Sequence, residues 1–392
     1  MEKAIKKKVD KLFFASCCYS FFINGLLVLM TGAILTYLMT DYNLSYNQVG
    51  LLVSVQAMGN LAAILFSGVI VHFLGRKKAL IAIGVLFSIG FGGITLTSSP
   101  ILLGILLFLA GAGWGINANL INVLVSEATE GHTGYTNILH MSFAIGAFIS
   151  PLLVSTLASF DISWKVAVAF VALTSVSLIF VFIKVHVDEP EKQQKEKVKL
   201  SFDFLKDPKY FLYMIIFFCY VGAETGLNSW LISYLVQEGI MELDKATLML
   251  SVLWVTIIFG RMTVAYISKF IRKDILLAGA TSFMFISVGL FLINKDPKLT
   301  VILMVAIGLG MAGIYPTTVA NASYLLTGAG IASGILFAGG GLGASVVPYI
   351  VGAVAENKGI SQGLKSTLVV IFIMAILAII NVMLIQKKGI KK

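Results

Sequence analysis

Glu224 is an acid inside a long apolar run, and Asn228 follows it four residues later. At helical spacing the two share a face. A carboxylate in hydrocarbon costs several kcal/mol unless it is paired, hydrated or protonated. Two chemistries suit such a group: accepting hydroxyl hydrogens from a bound solute, or taking up and releasing a proton. A structural hydrogen bond to a neighbouring helix is the plainer alternative. Amides are the next class. Asn119 and Asn122 stand three apart on one helical face, and Asn24 and Asn321 lie in other apolar runs. An amide offers donors and an acceptor to a polyhydroxylated ligand, but it also glues membrane helices, at about 0.6 kcal/mol. Trp230 and Trp254, and with less force Trp114, offer faces that stack on a sugar ring. Tyr315, beside Pro316, is expected at a break in its helix, in a binding or gating role. His140 sits where a titrating imidazole would be useful. Arg261, near a helix end, is expected to snorkel or to bridge helices as a gate element.

The substrate-binding candidates are therefore Asn24, Asn119, Asn122, Glu224, Asn228, Trp230, Trp254, Tyr315 and Asn321. The coupling and gating candidates are Glu224, His140 and Arg261, joined by Gly75 and Arg76. Catalysis and metal binding find no support. His72, His132, His140 and His186 show no Ser/His/Asp or metal-ligand spacing, and Cys17, Cys18 and Cys219 lie within apolar runs as small hydrophobes. An enzyme is not expected.

These residues must be held by membrane-spanning helices. Of 392 residues, 58% are hydrophobic and only 12% charged, where a soluble chain has about 25% charged. Twelve apolar runs are long enough to cross a bilayer. They lie near 11–39, 46–74, 79–98, 100–126, 134–160, 163–185, 209–237, 245–270, 274–293, 299–325, 329–355 and 364–386. Helices follow rather than a barrel, because the runs lack a strand's alternation. With both termini inside, 23 of the 29 basic residues fall in inside segments. The positive-inside rule then places both termini in the cytoplasm. This accounts for the net charge of +10 without nucleic acid. The expectation is a multi-pass cell-membrane protein whose surroundings are the lipid bilayer.

The halves repeat at an offset of 197. Pro100 matches Pro297 and Pro151 matches Pro348. Gly25, Gly111, Gly113 and Gly146 match Gly222, Gly308, Gly310 and Gly343, and Ser54 matches Ser251. Proline and glycine each set a backbone geometry, so their coincidence carries weight. The expected organisation is a six-helix bundle over 1–185, a cytoplasmic linker over 186–208, and a second bundle over 209–392. Phe202, Phe204 and Leu205 suggest a short amphipathic piece at the membrane interface. A parallel repeat of six spans is a transporter architecture with its site at the midplane.

Residues Gly68, His72, Gly75, Arg76, Lys77 and Lys78 resemble the loop 2–3 motif of the major facilitator superfamily, with His72 where that family usually has an aspartate. A narrower resemblance rests on Tyr220–Tyr234 with Glu224, Asn228 and Trp230, on Ser251, Trp254 and Arg261, on His140, Phe143, Gly146 and Pro151, and on Gly313 to Thr317. Together they resemble the fucose/glucose–galactose/proton symporter branch and its sodium–glucose relatives. That resemblance implies an all-α fold of 12 helices in two pseudo-symmetric bundles. It implies a sugar or polyol substrate, carried by symport with H+ or Na+ or by uniport, and a monomer without other cofactors. The family's acids in spans 1 and 4 are missing here, so its proton scheme does not transfer directly. A drug/proton antiporter, or a transporter of another small organic solute, is the alternative.

Overall fold

The computed structural model describes residues 10–129, 133–187, 203–326 and 330–390. Twelve helices long and apolar enough to span a membrane are found among them. They are α1 Lys11–Tyr42, α2 Tyr46–Leu74, α3 Arg76–Ile94, α4 Pro100–Ala128, α5 Thr133–Ser159 and α6 Trp164–Lys184. The second bundle holds α7 Pro208–Gln237, α8 Leu243–Ile267, α9 Lys273–Ile293, α10 Pro297–Leu326, α11 Gly330–Lys358 and α12 Ile360–Ile390. Several helices outrun the expected spans, because the apolar window reports hydrocarbon thickness and not helix length. Their starts are set by local chemistry. Ser45 and Gln48 form a capping box before α2, and Pro100 and Pro208 open α4 and α7, where a missing N–H is harmless. Large apolar side chains such as Ile101, Leu173 and Ile286 remain exposed on the outside, as lipid-facing helices require.

The repeat is visible in the packing. A methyl group at Gly25 would overlap the Phe143 carbonyl on α5, and one at Gly222 would meet Val347 and the Gly343 carbonyl on α11. Gly146 abuts Phe22 of α1 as Gly343 abuts Phe218 of α7. Gly111 meets Gln56, and Gly308 meets Leu253; Gly113 meets Phe87, and Gly310 meets Met284. The partners Gln56 and Leu253, and Phe87 and Met284, are themselves offset by 197 residues. Small residues let membrane helices approach backbone to backbone, so the matched glycines are matched helix crossings.

The two bundles meet about a pseudo-twofold axis. Thr36 and Ser233 are equivalent residues, and their hydroxyls are 2.9 Å apart. A residue touches its own equivalent only near the axis. Ser54 Oγ donates to the Ser345 carbonyl at 2.5 Å, and Ser251 Oγ donates to the Phe148 carbonyl at 2.9 Å. These two bonds are also exchanged by the 197-residue offset. Further cross-bundle bonds link Ser155 to the Asp244 carbonyl, the Asn47 N–H to Glu356 Oε2, and Tyr46 to Gln237. All of them lie toward the face where α1 ends and α2 begins, here called the far face. The near face is the one where α1 begins.

Two local expectations change. The linker's residues 188–202, Phe202 included, lie outside the described residues. Phe204 does not lie free at a membrane surface: it sits in a 3₁₀ turn, Asp203–Lys206, and is buried against Tyr210 and Ala332. A 4.6 Å ring contact with Tyr210 gives it a better apolar environment than the lipid headgroups would. Helix α10 does not break at Pro316 but continues through it. Pro316 removes one ladder bond, the one to the Ala312 carbonyl, a loss that membrane helices tolerate inside a packed bundle.

Candidate functional site

Helix α7 places Tyr220, Glu224 and Asn228 at i, i+4 and i+8, which makes one polar stripe. Tyr220 Oη donates to Glu224 Oε1 at 3.0 Å. Trp254 of α8 donates its indole N–H to Asn228 Oδ1 at 3.3 Å. Seven residues on, along the same face of α8, the guanidinium of Arg261 lies within electrostatic reach of Glu224, Tyr220 and Tyr315. It also reaches His140 of α5, in the other bundle. The Arg261 Nε is buried and donates to no acceptor among the described residues. The side chain therefore turns into the protein and does not snorkel outward.

Aromatic rings frame this charge pair. Tyr315 is 39% exposed. It lies 5.0 Å from the Phe217 ring, 6.4 Å from Tyr220, and stacks with Phe337 at 6.5 Å. Phe143 of α5 approaches Trp254 at 5.9 Å, and His140 packs edge-on to Phe21 at 5.6 Å. His140 is exposed although it belongs to a membrane helix and senses Arg261 across the bundles. The result is a polar, aromatic-walled site between the bundles, with one carboxylate and one guanidinium. It can bind hydroxyls through carboxylate, amide and phenol, cover apolar ring faces, and move a proton at Glu224.

The Major Facilitator Superfamily model matches residues 13–348 of this chain. The chain belongs to that superfamily. The Bacillus subtilis glucose/mannose transporter GlcP is 23% identical over 374 residues, which cover 91% of this chain and 92% of the relative. Two solved structures share the fold. The nucleoside transporter NupG has a TM-score of 0.75 at 15% identity, covering 95% of this chain and 98% of that one. The Escherichia coli fucose:proton symporter FucP has a TM-score of 0.62 at 18% identity, covering 93% and 97%. The protein is a membrane transporter of this superfamily.

The structure gathers Glu224, Asn228, Trp254, Tyr315, Arg261 and His140 around one site. It puts the other candidates elsewhere. Trp230 is fully buried, with its N–H on the Pro348 carbonyl at 3.0 Å and its ring against Tyr46 and Gly352. Its size fills a crossing of α7, α11 and α2 rather than lining a cavity. Asn321 spends its amide hydrogens on the Lys273 and Thr317 carbonyls, at 3.0 and 2.8 Å, which ties α10 to the start of α9. Asn119 bonds Ser67 of α2, and Asn122 bonds back to the Ala118 carbonyl at 2.5 Å. Both fall beside a π turn, Asn117–Ile121, that interrupts α4. A π turn shifts the phase of everything after it, so the i, i+3 face expected for an unbroken α-helix is displaced. Asn24 is only 1% exposed and faces protein. Tyr220 was not among the candidates, although its i−4 spacing from Glu224 is a readable signal.

Gly75 and Arg76 lie at the near face. Gly75 joins α2 to α3 with φ 77° and ψ 160°, a conformation essentially reserved for glycine. Arg76 then reaches the end of α4. Its Nη1 and Nη2 meet Glu127 Oε2 and Oε1, each at 2.9 Å. This bidentate pair supplies an acid from α4, while His72 stays exposed beside Phe73. Glu127 is half exposed, so the pair is worth roughly 0.5–1 kcal/mol. A double-mutant cycle of Arg76→Gln and Glu127→Gln should return a coupling of that size in thermal unfolding, smaller at high salt. A coupling near zero would mean that the pair does not hold α3 to α4.

Proposed function

We propose that this transporter carries a neutral, hydroxyl-rich solute, a hexose or related polyol, in symport with H+ and with Glu224 as the titrating group. The observation that carries the reading is the stripe Tyr220–Glu224–Asn228 on α7, faced by Arg261, Trp254 and Tyr315. Glu224 and Arg261 offset each other's charge, so an uncharged ligand enters without stranding a charge. Carboxylate, amide and phenol match hydroxyls, and the rings match the apolar faces of a pyranose. GlcP and FucP, whose names specify sugars, support the class.

The basic-residue bias supports cytoplasmic termini in the cell membrane. The near face is then cytoplasmic, and the arrangement is inward-facing: the far-face seam is shut, and Tyr315 and His140 keep access from within. Residues 1–185 and 209–392 act as the moving halves and 186–208 as their tether. The site is completed within one chain, so a monomer suffices. The reading is of transport, with no catalytic step.

Thermal stability of the purified protein against glucose, mannose, fucose, sugar alcohols, nucleosides and lipophilic cations tests the class. A ligand that binds only the folded state raises Tm by mass action. Hexoses are expected to do so. Stabilisation by lipophilic cations alone would overturn the sugar reading in favour of a drug antiporter.

A further inference from the structure

Trp254 of α8 is only 4% exposed, too little for its ring to serve as a stacking face. Its one polar atom is the indole nitrogen, whose N–H can only donate. The atom it meets on Asn228, at 3.3 Å, is therefore the amide oxygen, Oδ1. That bond fixes which way the amide points. The other end, Nδ2, donates to no acceptor among the described residues, and Asn228 is partly buried, not sealed. The indole itself has little freedom to turn away. Phe143 of the opposite bundle packs edge-on to it at 5.9 Å, and Ser251, three residues earlier on α8, donates to the Phe148 carbonyl at 2.9 Å.

Other amides of the protein are held the opposite way. Asn117 donates to the Ser20 carbonyl at 3.1 Å, Asn122 to the Ala118 carbonyl at 2.5 Å, and Asn119 to the Ser67 hydroxyl. Asn321 donates to the Lys273 and Thr317 carbonyls at 3.0 and 2.8 Å. Their nitrogens are spent on joining or bracing helices. Asn228 is held by its oxygen and keeps its N–H groups unspent, on the face of α7 that carries Glu224 one turn away.

We propose that Trp254 is a positioning residue that makes Asn228 a donor-only contact, so that the solute hydroxyl facing Asn228 is recognised through its lone pair and not through its hydrogen. A free amide reads a hydroxyl either way round, because it offers donors at one end and an acceptor at the other. Here the acceptor end is taken. Turning the amide over would break the indole bond and set N–H against N–H, which leaves a donor unsatisfied. The site then separates groups that accept from groups that do not. Replacing the hydroxyl by hydrogen removes the contact, whereas fluorine, which accepts weakly and cannot donate, keeps part of it. The inference rests on the hexose reading above and is independent of proton coupling.

Binding of glucose and of its monodeoxy and monodeoxyfluoro analogues to the purified full-length protein, without a proton gradient, is the test. At one ring position the deoxy analogue should bind about tenfold more weakly than glucose, the cost of one hydrogen bond, and the fluoro analogue nearly as well as glucose. Trp254→Phe keeps an aromatic ring and frees the amide. A hydroxyl can pair with either end of a freed amide and fluorine with only one, so the fluoro analogue should fall about fivefold behind glucose. Asn228→Asp keeps the shape and offers only oxygens, which a hydroxyl can satisfy and fluorine cannot, so the gap should exceed about tenfold. Damage to the fold would weaken both ligands alike and leave their ratio unmoved. No ring position with the native pattern, or an unchanged ratio in Asn228→Asp, would overturn the donor contact. An unchanged ratio in Trp254→Phe would overturn the positioning role. Failure of glucose to bind the native protein would overturn the hexose reading, and this one with it.

Discussion

Glu224→Gln is expected to abolish proton-driven accumulation while leaving solute exchange intact. The two side chains have the same shape, and glutamine still presents an oxygen to the Tyr220 hydroxyl, which lies 3.0 Å from Glu224 Oε1 in the native chain. What is lost is the ability to gain and lose a proton. One pH unit across the membrane is worth about 1.4 kcal/mol per proton, or about tenfold accumulation when one proton accompanies one solute. In proteoliposomes with an inward-directed gradient of that size, the native protein should concentrate a hexose toward that limit. The variant should only equilibrate it. Exchange of labelled for unlabelled hexose should survive within a few-fold, because it needs no net proton movement. Undiminished uphill uptake by Glu224→Gln would move the coupling group elsewhere.

A wedge at Gly32 should have the other large effect. A side chain there would overlap the backbone carbonyl of Asn228, on the opposite bundle. The clash falls between α1 and α7 of opposite bundles, beside Asn228 of the site, so each bundle can still fold. Overpacking of this kind costs about 1–3 kcal/mol, or a shift of about 5–150-fold between two conformations. Gly32→Leu should therefore empty the far-closed state and slow transport. Cysteines at Thr36 and Ser233, whose hydroxyls are 2.9 Å apart, give the readout once Cys17, Cys18 and Cys219 are replaced. With Gly32 intact the pair should oxidise readily. With Gly32→Leu the yield should fall by about tenfold at matched expression and Tm. Equal cross-linking in both backgrounds would show that this seam does not open and close with transport.

The legible and illegible parts of the site divide along one line. Glu224 and Asn228 were readable as a pair because both lie on one helix, where spacing fixes the shared face. Tyr220 obeys the same rule and was readable in principle. Trp230 and Trp254 look alike in the chain, yet one fills a helix crossing and the other bonds Asn228. Asn321 and Asn119 look like binding amides, yet their hydrogens go to the Lys273 carbonyl and to Ser67. Glu127 gave no signal that it would meet Arg76, 51 residues earlier.

The sequence by itself determined the twelve spans, the sidedness expected from its basic residues, the duplication and the single deep acid. Hydrophobic length, charge placement and the backbone demands of glycine and proline are local or periodic, so they survive in one dimension. Tertiary structure decided which polar side chains face the shared site and which face a neighbouring helix. It also decided which equivalent residues meet on the axis, and where a π turn rotates α4. Those outcomes depend on the rotation of each helix about its own axis. That rotation is set by close contacts with other helices, as where Gly25 admits Phe143 and Gly343 admits Phe218, and no single helix encodes it.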